Sequence, residues 1–225
     1  MARVRWSSRP CASDANVIAM PTPRDLLLNI LARQSFRLGE FKLSSGGTSD
    51  YYIDCRTTTL DAEGARLTGR VFLDLIEEKK WKPRAIGGLT MGADPIVVAV
   101  AQLTAQLAQT RSVRPNDSDA SDSLIHGFLV RKQEKAHGTG QRIEGFRQEG
   151  ARVVIVDDVC TTGSSTIQAI EAAREFGFEI AGVACLVERE EAGGRPAVEK
   201  AAGEAEFVSI FTSSDVRAAH LARKN

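Results

Sequence analysis

Short runs of β-branched and other apolar residues alternate along the chain with stretches whose apolar positions recur every three or four residues. These are the two periods that separate buried strands from amphipathic helices. Leu26, Leu27, Ile30 and Leu31 share one helix face, announced by Thr22-Pro23, an N-cap followed by proline at the first helical position. From Asp61 to Lys80, Leu67, Val71, Phe72, Leu75 and Ile76 keep helical spacing. Ala85-Ile86-Gly87-Gly88 then reads as a short strand, with a helix starting at Pro95 and Asp94 as its cap. Leu124 to Val130, Val153 to Val156, Ile180 to Val187 and Phe207 to Thr212 read as further strands. Ile167, Ile170, Ala173 and Arg174 belong to a helix that Gly177 ends, and Asp215 to Lys224 makes a last one. Ahead of the first of these units, Phe41-Lys42-Leu43 and Tyr51-Tyr52-Ile53 are the arms of a hairpin around the turn from Ser44 to Thr48.

Strands alternating with crossover helices predict an α/β domain with a mainly parallel sheet flanked by helices. At 225 residues the chain can bury the core of one such domain, predicted over residues 22–225. Residues 1–21, with Arg3, Arg5 and Arg9 among serines and no continuous apolar segment, read as a disordered extension. Arg111 to Ser123, rich in Ser, Asp, Asn and Pro, reads as a surface insertion. The longest apolar stretch, Pro95 to Ala108, is broken by Gln102 and Gln106 and is too short to span a bilayer.

Charge and cysteine usage narrow the function. Formal net charge is zero, which argues against nucleic acid as the main partner, so any phosphate recognition must be local. Cys11, Cys55, Cys160 and Cys185 are far apart, with no C-x-x-C pair. That indicates neither a zinc site nor a disulfide framework, and a reducing cytoplasm is the simplest compartment.

The candidate chemistry concentrates in Val153-Val154-Ile155-Val156-Asp157-Asp158-Val159-Cys160-Thr161-Thr162-Gly163-Ser164-Ser165-Thr166. A strand buried on both faces breaks at two adjacent carboxylates, then at a small, hydroxyl-rich turn, and a helix follows at once. That order puts main-chain N–H groups and short hydroxyls where a phosphate can rest on a helix N-terminus, beside carboxylates able to accept hydrogen bonds from a ribose. The other reading, a Walker-B-like acidic pair, would need a G-x-x-x-x-G-K-[ST] loop upstream, and the sequence has none.

The stretch resembles the phosphoribosyl pyrophosphate (PRPP) signature of type I phosphoribosyltransferases, and residues from about 22 to 190 resemble the orotate-specific members of that family. The resemblance implies the type I fold with a small N-terminal hood, mainly residues 22–60 plus C-terminal pieces. It implies transfer of phosphoribose from PRPP to orotate, with Mg²⁺ held by PRPP and water rather than by protein ligands. Arg131, Lys132, Lys135 and His137 match the R-K-x-x-K-x-H-G catalytic loop, which would surround the pyrophosphate and close over the neighbouring subunit's site in a homodimer. By the same match PRPP would meet these four residues together with Asp157, Asp158, Val159, Cys160, Thr161, Thr162, Gly163, Ser164 and Ser165. Orotate would meet Thr161, Arg189, Tyr51 and Tyr52, and the catalytic groups would be Lys135, His137, Asp157 and Asp158.

Arg189 lies in a context like D-R-x-E-G-G, and its fork suits a planar carboxylate; a surface ion pair with Glu188, Glu190 or Glu191 is the plainer reading. In two places the chain departs from lysines found in other members, at Ser44 before Ser45-Gly46 and at Gly92 in the loop from Leu89 to Asp94. Two other functions remain open on the residues alone. One is a PRPP-binding regulator, against which the neutral charge counts, and the other is a phosphoribosyltransferase for a different nucleobase.

Overall fold

The structure, a computed structural model, describes residues 20–42, 47–112, 124–132 and 142–223, the side chains of 111 and 112 excepted. Helix α1 (Pro23–Ile30) opens with a reciprocal cap, in which Asp25 N–H donates to Thr22 Oγ1 (3.2 Å) and Thr22 N–H to Asp25 Oδ2 (2.9 Å). A π-helical turn, Leu31–Ser35, leads into strand β1 (Phe36–Lys42), which pairs antiparallel with β2 (Thr48–Ile53). The hairpin is longer than its sequence pattern predicted. Phe36 starts it, buried and stacked on Tyr51 at 5.1 Å, and an irregularity between Leu38 and Phe41 breaks the alternation that would have revealed it.

The short helix α2 (Arg56–Thr59) and the long α3 (Ala62–Glu78) follow, the latter capped by Asp61, which accepts from Gly64 N–H at 2.9 Å. The remaining strands are β3 (Ala85–Leu89), β4 (His126–Val130), β5 (Ile143–Gly145), β6 (Arg152–Cys160), β7 (Glu179–Glu188) and β8 (Phe207–Thr212). They form one six-stranded sheet in the order β5-β4-β3-β6-β7-β8, parallel except for β5. Helices α4 (Asp94–Ser112), α5 (Ser164–Glu175), α6 (Arg195–Ala202) and α7 (Ser213–Ala222) complete the chain. The last starts two residues before its predicted bound, because Thr212 caps it and Asp215 supplies the return hydrogen bond of the capping box.

The apolar run of β6 faces both ways. Val154 and Val156 join the core packed by α1, α3 and α4, while Val153 and Ile155 join the one packed by α5 and α6. This is the near-continuous hydrophobic strand of a sheet covered on both faces. From β3 the chain crosses through α4 to β4 on one side, and from β6 through α5 to β7 on the other. The carboxyl ends of β3 and β6 therefore part the chain in opposite directions, and a crevice opens between them. Among the described residues no helix is long and apolar enough to cross a membrane.

Candidate active site

The apolar run of β6 ends at two adjacent carboxylates, both of which line the cleft. Asp157 is 4% exposed; its Oδ2 accepts from the Thr166 hydroxyl on α5 (2.8 Å) and its Oδ1 from the Asp158 N–H (3.0 Å). Asp158 turns toward the loop after β3, its Oδ1 accepting from Val159 N–H at 2.9 Å. Burial first, then the neighbouring Asp158 charge, push the Asp157 pKa up to about 7. Asp158 is also raised, by burial, although the Val159 N–H and the Arg56 guanidinium oppose the shift.

The turn after β6 is shaped by two glycines. Gly163 caps α5 at φ +78°, and a Cβ there would stand 2.3 Å from Val198 Cγ2. A Cβ on Gly194, at the start of α6, would meet the Thr161 carbonyl oxygen at 2.1 Å. Helix α6 thus presses on the back of the loop and holds residues 161–165 at the α5 N-terminus, whose first N–H groups favour an anion. Thr161 and Ser165 line the cleft.

On the far wall, Thr90-Met91 is a cis peptide, and Thr90 Oγ1 donates to Asp94 Oδ2 at 2.8 Å. Asp94 is the first residue of α4 rather than a residue ahead of it. A Cβ on Gly92 would lie 2.2 Å from Asp158 Oδ1, so this loop runs against the acidic pair.

The cleft between these walls has a volume of about 1100 Å³ and is roofed by the hairpin. Phe41, Lys42 and Tyr52 line it from the hairpin, and Arg189 from the end of β7. Arg189 Nε donates to the Tyr51 hydroxyl (3.0 Å) and Nη2 to Ser49 Oγ (3.2 Å) and to Glu191 Oε1 (3.0 Å), while its plane lies 4.6 Å from the Tyr51 ring centre. Of the acidic partners considered for Arg189, Glu191 is the one it meets; Glu188 pairs with Arg195 instead. Asp54 and Arg56 form a two-pronged ion pair, both bonds 2.9 Å, at the cleft edge facing Asp158.

Most of the residues read from the sequence therefore meet in one place: Arg131, Lys132, Asp157, Asp158, Val159, Thr161, Ser165, Tyr52 and Arg189 all line the cleft. The side chains of Tyr51, Cys160, Thr162 and Ser164 do not. Tyr51 is buried beneath Arg189, and Cys160 turns into the core beside Cys185, which leaves its main chain alone to face a ligand. Thr162 and Gly163 form the turn itself, and Ser164 opens α5. Lys135 and His137 lie outside the described residues, as do Ser44, Ser45 and Gly46.

Asp54, Arg56 and Glu191 were not singled out as site residues from sequence. The D-x-R spacing of the first pair was the available signal, because a carboxylate two residues from a guanidinium can grip it from one turn. Among the described residues no group of three or more His, Cys, Asp or Glu side chains could hold a metal ion by itself.

Comparison with known proteins bears on this cleft. The model of the phosphoribosyl transferase domain matches residues 57–209. The chain is 41% identical over 180 residues to the orotate phosphoribosyltransferase of Aquifex aeolicus, covering 79% of this chain and 89% of that protein. Among solved structures it is similar to the orotate phosphoribosyltransferase of Mycobacterium tuberculosis H37Rv in complex with Fe(III) dicitrate. The TM-score is 0.67 at 34% identity, over 87% of this chain and 99% of that one. The same Mycobacterium enzyme in complex with PRPP gives a TM-score of 0.63 at 28% identity, over 89% and 95% of the two chains.

Proposed function

The chain belongs to the phosphoribosyltransferase family as an orotate phosphoribosyltransferase, and from this we infer how its cleft makes orotidine 5′-monophosphate and pyrophosphate from PRPP and orotate in pyrimidine biosynthesis. The bond from C1′ to the pyrophosphate oxygen breaks, its electron pair leaves with pyrophosphate, and N1 of orotate bonds to C1′. Positive charge builds on the ribose ring and negative charge on the leaving group, so the protein's part is positioning and electrostatics.

The turn from Thr161 to Ser165 takes the 5′-phosphate, and Asp157 and Asp158 take the ribose hydroxyls. Arg189 takes the carboxylate of orotate. The observation that carries this reading is the convergence, in one cleft at the carboxyl ends of β3 and β6, of the acidic pair, an anion-binding helix start and a guanidinium. Arg131 and Lys132 line the same cleft, and with Lys135 and His137 they neutralise pyrophosphate while their loop keeps water from the ribosyl cation.

Mg²⁺ would be held by PRPP and water rather than by protein ligands. The fit of the residues supports this: both oxygens of Asp157 and one of Asp158 already accept protein hydrogen bonds, so the pair suits hydroxyls and metal-bound water better than direct ligation. The ion supplies charge neutralisation at the phosphates.

The protein acts as a homodimer in a reducing cytoplasm. Leu60, Met91 and Val98 are 71%, 64% and 61% exposed along two adjoining grooves, one of them shared with cleft residues, and this supports a second copy on that face. Cys55, Cys160 and Cys185 as buried free thiols support the compartment. Residues 22–225 act as one domain whose hood borrows C-terminal pieces. This is supported by Arg217 Nη2 reaching Asp50 Oδ2 (2.6 Å) and by the 2.7 Å contact of His220 Nδ1 with the Ala32 carbonyl oxygen.

The test is consumption of orotate by the purified protein with PRPP and Mg²⁺, beside uracil, adenine, hypoxanthine and a chelated control. Orotate loss matched by pyrophosphate release, and abolished by chelator, is the expected result. Saturable PRPP binding with no turnover of any base would instead make the protein a sensor of PRPP.

A further inference from the structure

We propose that Glu191 is a positioning residue for Arg189: with Tyr51 it fixes the guanidinium at the cleft edge, so that the site selects a carboxylated base over an uncharged one. The proposal rests on the assignment of Arg189 to the orotate carboxylate made above. An arginine side chain has many rotamers to lose, and in a cleft that also receives phosphates an unfixed guanidinium would pair with either anion. Here it is fixed on several sides. Nε donates to the Tyr51 hydroxyl (3.0 Å) and Glu191 Oε1 (3.2 Å), and Nη2 to Glu191 Oε1 (3.0 Å) and Ser49 Oγ (3.2 Å). The Tyr51 ring supports the face of the group at 4.6 Å.

Glu191 is held as firmly as it holds. The Tyr51 hydroxyl donates to its Oε1, and Ser213 Oγ donates to its Oε2 at 3.1 Å. Strand β2, the turn after β7 and the start of α7 thus meet on one carboxylate, and Arg189 is left with a side chain only 12% exposed. Burial works against the charge on Glu191, but hydrogen bonds from Tyr51 and Arg189 outweigh it and hold the pKa below the ordinary glutamate value. Burial, then the Glu191 carboxylate, push Tyr51 the other way, so the proton stays on the phenol and points at the carboxylate.

These contacts use Nε and Nη2 and leave Nη1 for an incoming carboxylate. A base without a carboxylate leaves that donor unanswered, and a site built around a fixed donor rejects a ligand that cannot meet it.

Steady-state kinetics with each substrate varied, on Glu191→Ala, Glu191→Gln, Tyr51→Phe, Arg189→Ala and Arg189→Ala/Glu191→Ala, test this. Glu191→Ala should raise the KM for orotate about tenfold, with kcat and the KM for PRPP within about twofold. Glu191→Gln keeps an oxygen acceptor for both Tyr51 and Arg189 and should restore most of the loss. Tyr51→Phe, which removes one hydroxyl, should reproduce the selective rise and serves if Glu191→Ala folds poorly. In the Arg189→Ala background, removal of Glu191 should add nothing to the orotate KM. An equal effect of Glu191→Ala with and without Arg189, or an equal rise in both KM values, would overturn the proposal. An orotate KM unchanged in Arg189→Ala would overturn the assignment of Arg189 itself, by a separate route.

Discussion

The protonation of Asp157 and Asp158 follows from what each one touches. Asp157 packs inside, where burial raises its pKa to about 7, and the hydroxyl of Thr166 recovers only part of the lost hydration. Asp158 faces Arg56, which favours its charge, and Asp54, which opposes it, with Cys55 pushed up by burial close by. The unfolded chain releases the Asp157 proton near pH 4, the folded one near pH 7. In that window the folded state binds more protons, so the stability that protonation gives is complete below about pH 4 and lost as pH rises through about 7. The melting temperature of the ligand-free protein should therefore fall between pH 5 and pH 8. Asp157→Asn keeps the hydrogen-bonding shape without the charge, and should flatten that slope and be the more stable form at pH 8 by roughly 1–3 kcal/mol. Thermal melts of both proteins across the range check this, and an unchanged slope in Asp157→Asn would assign the effect to other groups. The sequence displays both aspartates plainly; that one is buried against a threonine nine positions on is a fact of the α5 crossover.

Elements were legible where one pattern ran long enough to be covered on a whole face. Strand β6 announced itself because both its faces are buried, and α3 because its apolar positions hold one stripe along its length. By contrast α2, β5 and α6 are short, and α6 buries only Val198 and Ala202, with Arg195 clipped to Glu188 and Glu199 doing the rest. The candidate site divides the same way. Its phosphate turn is contiguous in sequence, whereas Arg189 depends on Tyr51, 138 positions away, and on a glutamate that reads as surface charge. The unseen α6 matters to the seen turn, since it packs behind Gly163. Gly163→Ala would place a side chain at φ +78° and 2.3 Å from Val198 Cγ2. The left-handed backbone costs about 1–2 kcal/mol and the contact adds to it, so the variant should lose about 2–3 kcal/mol of stability. Because α6 would have to shift from the turn, its KM for PRPP should rise more than its KM for orotate. Denaturant titration with kinetics checks both; a loss of only about 1–2 kcal/mol would mean that Val198 yields freely, and wild-type stability would overturn the backbone argument itself.

Whether one copy of the chain suffices for turnover is decided by where the 131–137 loop acts. Each copy carries its own acidic pair, the turn proposed for the phosphate and Arg189 in one cleft, while Lys135 lies outside the described residues. Suppose that loop serves the neighbouring copy. A mixed dimer of Lys135→Ala and Arg189→Ala chains then has one site carrying both defects and one carrying neither. The intact site combines the cleft of the Lys135→Ala chain with the loop of the Arg189→Ala chain. If the loop serves its own cleft, every site in the mixture keeps exactly one defect and nothing is regained. Equal amounts of the two chains, dissociated and reassociated at random, make half of all dimers mixed, so shared sites predict about one quarter of wild-type activity at low orotate. Each variant alone should stay near background under those conditions. Leu60 and Val98 supply a control, since they are exposed apolar side chains of the face assigned to the second copy that, unlike Met91, do not line the cleft. Adding Leu60→Asp and Val98→Asp to both chains should leave monomers in sedimentation and abolish the regained activity. Mixed dimers that form without regained activity would show that the loop serves its own cleft, and dimers that persist in the Leu60→Asp/Val98→Asp chains would show that the copies meet through another face.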